Sequence, residues 1–124
     1  MTDPPAIDVL LEHARSGLDR VQPERLAEEL AGGAILIDIR PMEQRQRDGD
    51  LPGAIVIDRN VLEWRLDPSS PHRLPIATDT DVRFIIACNE GYSSSLAAAT
   101  LQELGLRLAT DLVGGFQAWR SVQP

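Results

Sequence analysis

Apolar residues in the first part of the chain recur with the spacing of α-helices. In residues 6–16 they fall every three or four positions, which predicts a helix with one inward face that ends at Gly17. The inward positions are Ile7, Leu10, Leu11 and Ala14. A second helix is predicted to begin at Pro23 and to stop at the Gly32-Gly33 pair. Its inward positions are Leu26, Ala27 and Leu30.

Short continuous apolar runs follow, and they predict β-strands. Residues 34–38, 54–57 and 82–87 are apolar almost throughout, which is typical of strands buried on both faces of a sheet. Weaker candidates are residues 18–21 and a stretch within residues 106–113. These runs predict about five strands in all.

Further helices are predicted between and after the strands. They cover part of residues 41–50 and then residues 60–66, 94–104 and 116–120, whereas residues 67–80 are rich in Pro, Ser and Asp and are interpreted as a surface loop. The inward positions of the 94–104 helix are Ala97, Leu101 and Leu104. Strands that alternate with helices indicate the α/β class, with a parallel sheet covered by helices on both faces.

Length and charge narrow the classes of function. The 124 residues suit one domain with one hydrophobic core, and the content of 43% hydrophobic and 25% charged residues is that of a globular protein. The net charge of -7 argues against nucleic acid or an anionic membrane as the main partner, because both favour a basic surface. No apolar run is long enough for a membrane span, and the first residues lack the pattern of a secretory signal. We therefore expect a cytoplasmic protein.

The single cysteine is the main candidate for chemistry. With one cysteine and two histidines, neither an internal disulfide nor a Cys/His zinc site is expected, and no residue pattern implies a metal or another cofactor. Cys88 directly follows the predicted strand 82–87, at the sheet edge where α/β domains bind their ligands. The turn after it contains Gly91 and leads into a helix, so backbone N–H groups and the helix N-terminus can favour a thiolate. The alternative is an inert core cysteine, a common environment for this residue type.

Four short motifs, in order, resemble those of one family. Residues 37–40 (IDIR) are similar to its D-x-R motif, and residues 49–54 (GDLPGA) are similar to G-H-I-P-G-A, with aspartate in place of histidine. Residues 88–94 (CNEGYSS) resemble the active-site loop C-x-x-G-x-[RS]-[ST], and residues 114–119 (GGFQAW) resemble a closing G-G-x-x-x-W. From about residue 21 to residue 119, the chain thus resembles the rhodanese (sulfurtransferase) family.

This resemblance implies a fold and an activity. The fold is a rhodanese-like α/β fold with a central parallel sheet of about five strands and helices on both faces. Residues 1–124 are expected to form one such domain, with residues 1–17 as a helical extension and residues 18–120 as the core. The implied enzyme is a sulfurtransferase, in which Cys88 takes a sulfane sulfur from thiosulfate or a persulfide and holds it as a persulfide. A thiol or cyanide is the implied acceptor, with a protein as an alternative.

The same resemblance implies roles for the neighbours of Cys88. The residues expected to cradle the persulfide are Asn89, Glu90, Gly91, Tyr92, Ser93 and Ser94. Asp38 and Arg40 are expected to brace the site rather than to react.

The loop departs from many thiosulfate-using relatives because it has no basic residue and carries Glu90. A carboxylate there repels a dianionic donor and opposes thiolate formation, which argues against thiosulfate as the physiological donor. Our hypothesis is that Arg59 or Arg65 lies near the pocket and supplies positive charge; the alternative is that both are solvated. Trp64 and Tyr92 are candidates for the mouth of the pocket.

Two other functions compete with sulfur transfer. Cysteine phosphatases of the same fold use C-x5-R, but the arginine position of that motif is occupied by Ser94 here, so the group that binds phosphate is missing. Non-catalytic rhodanese-like domains that bind proteins usually lack the cysteine, and this chain retains it.

Overall fold

The computed structural model describes residues 2–124, so Met1 of the expected N-terminal extension lies outside the described part. Six helices and four strands follow one another along the described chain. They are α1 (Ala6–Ser16), α2 (Leu26–Ala31), β1 (Ile35–Asp38), α3 (Met42–Asp48), β2 (Ile55–Val56), α4 (Leu62–Leu66), β3 (Phe84–Ala87), α5 (Ser93–Glu103), β4 (Thr110–Asp111) and α6 (Gly115–Ser121). Short 3-10 turns, Pro23–Arg25 and Arg59–Val61, lead into α2 and α4.

The four strands form one parallel sheet in the order β2-β1-β3-β4. The sequence predicted about five strands, but residues 18–21 contribute only a single parallel bridge between Val21 and Leu112. The extended backbone is short there because Leu18 still closes the turn after α1, and Pro23 already opens the next 3-10 turn. The α/β class and the parallel sheet are confirmed.

The sheet divides the core into two apolar layers, because successive side chains of a strand point to opposite faces. In β1, Ile37 packs into the layer beneath α4 and α5, whereas Leu36 packs into the layer beneath α2 and α6. In β3, Ile86 and Ile85 divide in the same way. Both faces are therefore covered, as predicted. In the described residues 2–124, no helix is long and apolar enough to cross a membrane.

Three predicted inward faces are only partly correct. In α1, Leu11 and Ala14 are buried, but Ile7 and Leu10 are 57% and 53% exposed, because α1 packs on the outside of α5 through a narrow stripe. In α2, Ala27 is exposed although Leu26 is buried. Leu104, expected inside, directly follows α5, where the chain turns at Gly105, and it is exposed.

Strand β2 also differs from its prediction. We expected a strand buried on both faces over residues 54–57, but β2 contains two residues at the edge of the sheet, and Val56 is exposed. An apolar run does not distinguish an edge strand from a central one, because burial of the strand depends on neighbours distant in the chain. The central strands β1 and β3 have the expected burial.

The parallel arrangement brings three polar positions to one edge of the sheet. Asp38 ends β1, Cys88 follows β3, and Asp111 ends β4. Carboxyl ends of parallel strands lie side by side, so three segments distant in sequence meet where ligands of such sheets usually bind.

Candidate active site

Cys88 lies in the turn between β3 and α5, with its side chain enclosed by the turn. The residue is only 6% exposed, and two backbone N–H groups point at its sulfur. Gly91 N–H donates to Sγ at a nitrogen–sulfur distance of 3.2 Å, and Ser94 N–H donates at 3.4 Å. Convergent backbone N–H groups of this kind form a concave site for an anion.

The surroundings of Cys88 lower the pKa of its thiol and therefore favour the thiolate. Burial raises the pKa of the thiol, but hydrogen bonds from Ser94 and Ser93, together with the backbone N–H group of Gly91, lower the pKa by more. The Ser94 hydroxyl also lies 2.7 Å from the Asp111 carboxylate, and one hydroxyl proton cannot serve both partners. We assign that proton to Asp111, so the thiolate is supported by the Ser93 hydroxyl and by the backbone N–H groups of Ser94 and Gly91.

Helix α6 is packed directly against the base of this turn. Phe116 N–H donates to the Cys88 carbonyl at 2.9 Å, and Gln117 N–H donates to the Asn89 carbonyl at 3.1 Å. A Cβ atom on Gly115 would lie 2.4 Å from the Cys88 carbonyl oxygen, and the φ of Gly115 is +62°. Only glycine meets both conditions, which explains the second glycine of the Gly-Gly pair at the start of α6.

Gly91 meets the same pair from the other side. Its φ is +86°, and a Cβ atom there would lie 2.6 Å from the backbone nitrogen of Gly114. Gly91 in the Cys88 turn and Gly114, directly before α6, thus allow two backbone segments to touch.

A buried carboxylate holds the far end of the turn. Asp111 accepts hydrogen bonds from the hydroxyls of Ser94 and Ser95, each at 2.7 Å. Arg20 binds the same carboxylate with Nε at 2.8 Å and Nη2 at 3.2 Å. Arg20 and Arg15 also donate to the Gly91 carbonyl, at 3.1 Å and 2.7 Å.

The sequence prediction missed Asp111, Ser95, Arg15 and Arg20. Asp111 had a detectable signal, because a carboxylate inside an apolar stretch predicted to hold a strand needs a buried partner. Arg15 and Arg20 had no such signal in the sequence, because their partners lie 71 to 91 positions away in the chain.

On the other side of the turn, Asp38 and Arg40 form a buried ion pair. Arg40 Nη2 lies 2.8 Å from Asp38 Oδ2 and also donates to the Gly49 carbonyl at 2.9 Å. The guanidinium carbon lies 4.0 Å from the centre of the Phe116 ring. The D-x-R motif therefore joins the end of β1 to the 49–54 motif and to α6.

An open cavity of about 340 Å³ lies beside Cys88. Its wall includes Arg40, Glu90, Tyr92 and Ser93 as well as the cysteine. A larger cavity, of about 900 Å³, is elsewhere, between α2 and the segments that precede β1 and β3, and no thiol lines it. We therefore take the smaller cavity as the candidate site.

The structure places the remaining predicted residues around or away from this cavity. Tyr92 is exposed at its mouth. Arg59 lines an adjoining cavity that shares the Ile39–Pro41 segment, but both carboxylate oxygens of Glu63 bind its Nη1, at 2.9 Å and 3.0 Å.

The supporting role expected for Trp64 and Arg65 needs correction. Neither residue lines the Cys88 cavity or the adjoining one. Because Leu62 and Leu66 turn the inner face of α4 into the core, Trp64 and Arg65 project to solvent, and Arg65 binds the His72 carbonyl.

Comparison with known proteins shows the family. The family model of the rhodanese-like domain matches residues 22–122. The chain belongs to the rhodanese-like domain family. The four motifs, with the turn at Cys88 among them, lie inside the matched range.

Relatives of this rhodanese-like domain include enzymes named thiosulfate sulfurtransferase GlpE. The one from Ectopseudomonas mendocina is 30% identical over 109 residues, covering 88% of this chain and 91% of the relative. One from Pseudomonas aeruginosa is 32% identical over 105 residues, covering 85% and 86%.

Solved structures agree with the fold. The protein RPA3614 of Rhodopseudomonas palustris, described as of unknown function and a possible tyrosine phosphatase, has a TM-score of 0.84 at 34% identity, covering 98% of this chain and 93% of that one. The human single-domain sulfurtransferase TSTD1 has a TM-score of 0.68 at 23% identity, covering 85% and 97%, and this match supports the fold alone.

Replacing Gly115 by alanine tests the contact between α6 and the Cys88 turn. The matched control is Gly53→Ala, because Gly53 also has positive φ (+80°), but a Cβ atom added there would have no other atom within 4 Å. The control should lose about 1–2 kcal/mol of unfolding free energy from backbone strain, and Gly115→Ala should lose about 1–3 kcal/mol more from the collision. Urea unfolding measures both, and equal losses would contradict the contact.

The pKa of Cys88 can be measured by alkylation with iodoacetamide as a function of pH. Only the thiolate reacts, so the rate rises with pH and levels off above the pKa. We expect the midpoint below the ordinary value of about 8.5 for a free thiol. Glutathione is the reference thiol, and Cys88→Ser shows background. A midpoint at or above that of an ordinary thiol would contradict the assigned support of the thiolate.

Proposed function

We propose that this chain is a sulfurtransferase in which Cys88 carries a sulfane sulfur as a persulfide. The observation that carries the proposal is the pair of backbone N–H groups, from Gly91 and Ser94, that converge on Sγ beside an open cavity. The names of the GlpE relatives support the same activity. No histidine is needed to activate a thiol that the backbone already stabilises as an anion.

The transfer takes two steps. The Cys88 thiolate attacks the outer sulfur of the donor, the donor's sulfur–sulfur bond breaks, and the electron pair leaves with sulfite or a donor thiolate. The negative charge then lies on the outer sulfur of the Cys88 persulfide. An acceptor thiolate or cyanide attacks that sulfur, and the Cys88 thiolate returns. N–H groups already oriented toward the anion stabilise it without rearrangement of the turn.

Charge around the cavity favours a persulfide donor over thiosulfate. Glu90 lines the wall, and Arg40 is the one guanidinium among its lining residues in the described chain. The charge of Arg40 is already balanced by Asp38. Among the residues that line the cavity, a dianionic donor therefore meets an unpaired carboxylate and no unpaired cation, whereas a persulfide brings a single charge at its reacting end.

Phosphate chemistry is the less favoured interpretation of the site, although RPA3614 is described as a possible tyrosine phosphatase. The position that would need arginine is Ser94, and its hydroxyl lies 2.7 Å from the Asp111 carboxylate. Ser94 therefore offers no cation at the position where this chemistry needs one to bind the phosphate oxygens. A chromogenic phosphate ester should therefore not be hydrolysed above the background of Cys88→Ser.

Persulfide formation is tested by mass spectrometry of the intact protein. After incubation with thiosulfate or with the persulfide of 2-mercaptoethanol, the wild type should gain about 32 Da, one sulfur atom, and Cys88→Ser should gain nothing. Adding cyanide should remove the added mass. Failure to load from either donor would contradict sulfur transfer and leave the protein-binding domain as the better interpretation.

The role of Glu90 in donor choice is tested by Glu90→Gln. Removing the carboxylate should raise kcat/KM for thiosulfate about threefold to tenfold, because repulsion of a nearby charge in a solvated site amounts to about 1 kcal/mol. Loading from 2-mercaptoethanol persulfide should change less. Glu103→Gln, which removes the same charge at the other end of α5, is the control. Equal kcat/KM values for thiosulfate in Glu90→Gln and Glu103→Gln would show that Glu90 does not select the donor.

A further inference from the structure

The Gly91 carbonyl accepts two charged hydrogen bonds from outside the active-site loop. Arg15, in the last turn of α1, donates with Nη2 at 2.7 Å. Arg20, in the segment after α1, donates with Nη2 at 3.1 Å. Hydrogen bonds from an ionised donor are stronger than those between neutral groups, so this carbonyl is firmly held.

The two arginines leave a net positive charge behind the loop. Arg20 is neutralised by Asp111, with an N–O distance of 2.8 Å. Arg15 has no carboxylate within ion-pair distance in residues 2–124; its partners are the Gly91 carbonyl and the Ser95 hydroxyl, and it lies 5.6 Å from the centre of the Tyr92 ring. Two guanidinium groups and one carboxylate therefore sum to one positive charge.

Both N–H donors of Cys88 are held through this network. Gly91, whose N–H points at Sγ, is held by its carbonyl. Ser94, whose N–H also points at Sγ, is held through its hydroxyl by Asp111, which Arg20 binds. Arg15 further binds Ser95, whose hydroxyl donates to Asp111 as well. A shift of either arginine thus moves the groups that stabilise the sulfur anion.

We propose that Arg15 and Arg20 are positioning residues of the active site, and that Arg15 supplies from behind the loop the positive charge that the loop itself lacks. The inference rests on the proposed function of Cys88. Both residues precede residue 22, where the match to the family model begins, so that model does not include them. Helix α1 carries Arg15 to the site because Leu11 and Ala14 anchor that helix on α5.

Charged and titratable groups other than Arg15 also lie around Cys88. Glu90 and Tyr92 lie at the mouth of the cavity, and the Asp38–Arg40 pair lies on the opposite side of the loop. Asp48 is nearby, through Gln117, which donates to both Asp48 and Asn89. All of these residues are the same in every variant, so the difference in alkylation between variants reports the replacement of Arg15.

The test is the pH dependence of Cys88 alkylation in Arg15→Gln and Arg15→Lys. Loss of the positive charge should raise the alkylation midpoint by about 0.5–1 pH unit in Arg15→Gln, because a nearby cation favours the thiolate. Lysine keeps the positive charge but lacks the planar guanidinium that binds two partners at once. The alkylation midpoint of Arg15→Lys should therefore lie between those of the wild type and Arg15→Gln. Arg107→Gln is the control, since Arg107 forms an exposed pair with Asp81 in the segments that precede β4 and β3.

This measurement does not depend on sulfur transfer, because alkylation reports the thiolate directly. Failure of the wild type to form a persulfide would overturn the proposed function and leave this test intact. Thermal unfolding checks that each variant is folded; Arg20 is not replaced, because that would leave Asp111 buried without a cation. A midpoint in folded Arg15→Gln equal to that of Arg107→Gln would overturn the inference, and so would a lysine variant as impaired as the glutamine variant.

Discussion

The arrangement around Cys88 depends on one buried carboxylate. Asp111 is inaccessible to solvent at the end of β4, and an unpaired charge in that position would cost several kcal/mol. Four hydrogen bonds, two from Arg20 and one each from Ser94 and Ser95, satisfy it. Because the position of the carboxylate is set by the sheet, the start of α5 has little freedom. The direction of the N–H groups toward the sulfur follows from that restriction.

A second contact restricts the other end of the loop. The carbonyls of Cys88 and Asn89 are bound by the first N–H groups of α6, at a distance that only Gly115 permits. Arg40 stacks on Phe116 of the same helix and pairs with Asp38. The loop is therefore held between an ionic cluster and a backbone contact, and this fixes the direction of the two N–H groups that point at the Cys88 sulfur.

The parts of this site that local patterns specify could be predicted, and the parts that depend on long-range pairing could not. Apolar runs located β1 and β3, and the position of Cys88 after β3 with Gly91 in the turn followed from them. The same patterns overestimated the burial of Ile7 and Leu10, since spacing does not say how wide a stripe the neighbouring helix covers. The Asp111 cluster joins segments whose charges have no local signature, and Trp64 was misplaced because the inward face of α4 depends on its packing.

Residues that precede the family-model match, in α1 and directly after it, support the loop that contains Cys88. The match to the family model begins at residue 22, after the residues that hold Gly91 and neutralise Asp111. If residues 22–122 were joined to another protein, they would carry Cys88 and all four motifs that resemble those of the family. They would also carry a buried anion that had lost its counterion. In this protein the unit that would have to be moved intact is therefore longer than the segment that the family model matches.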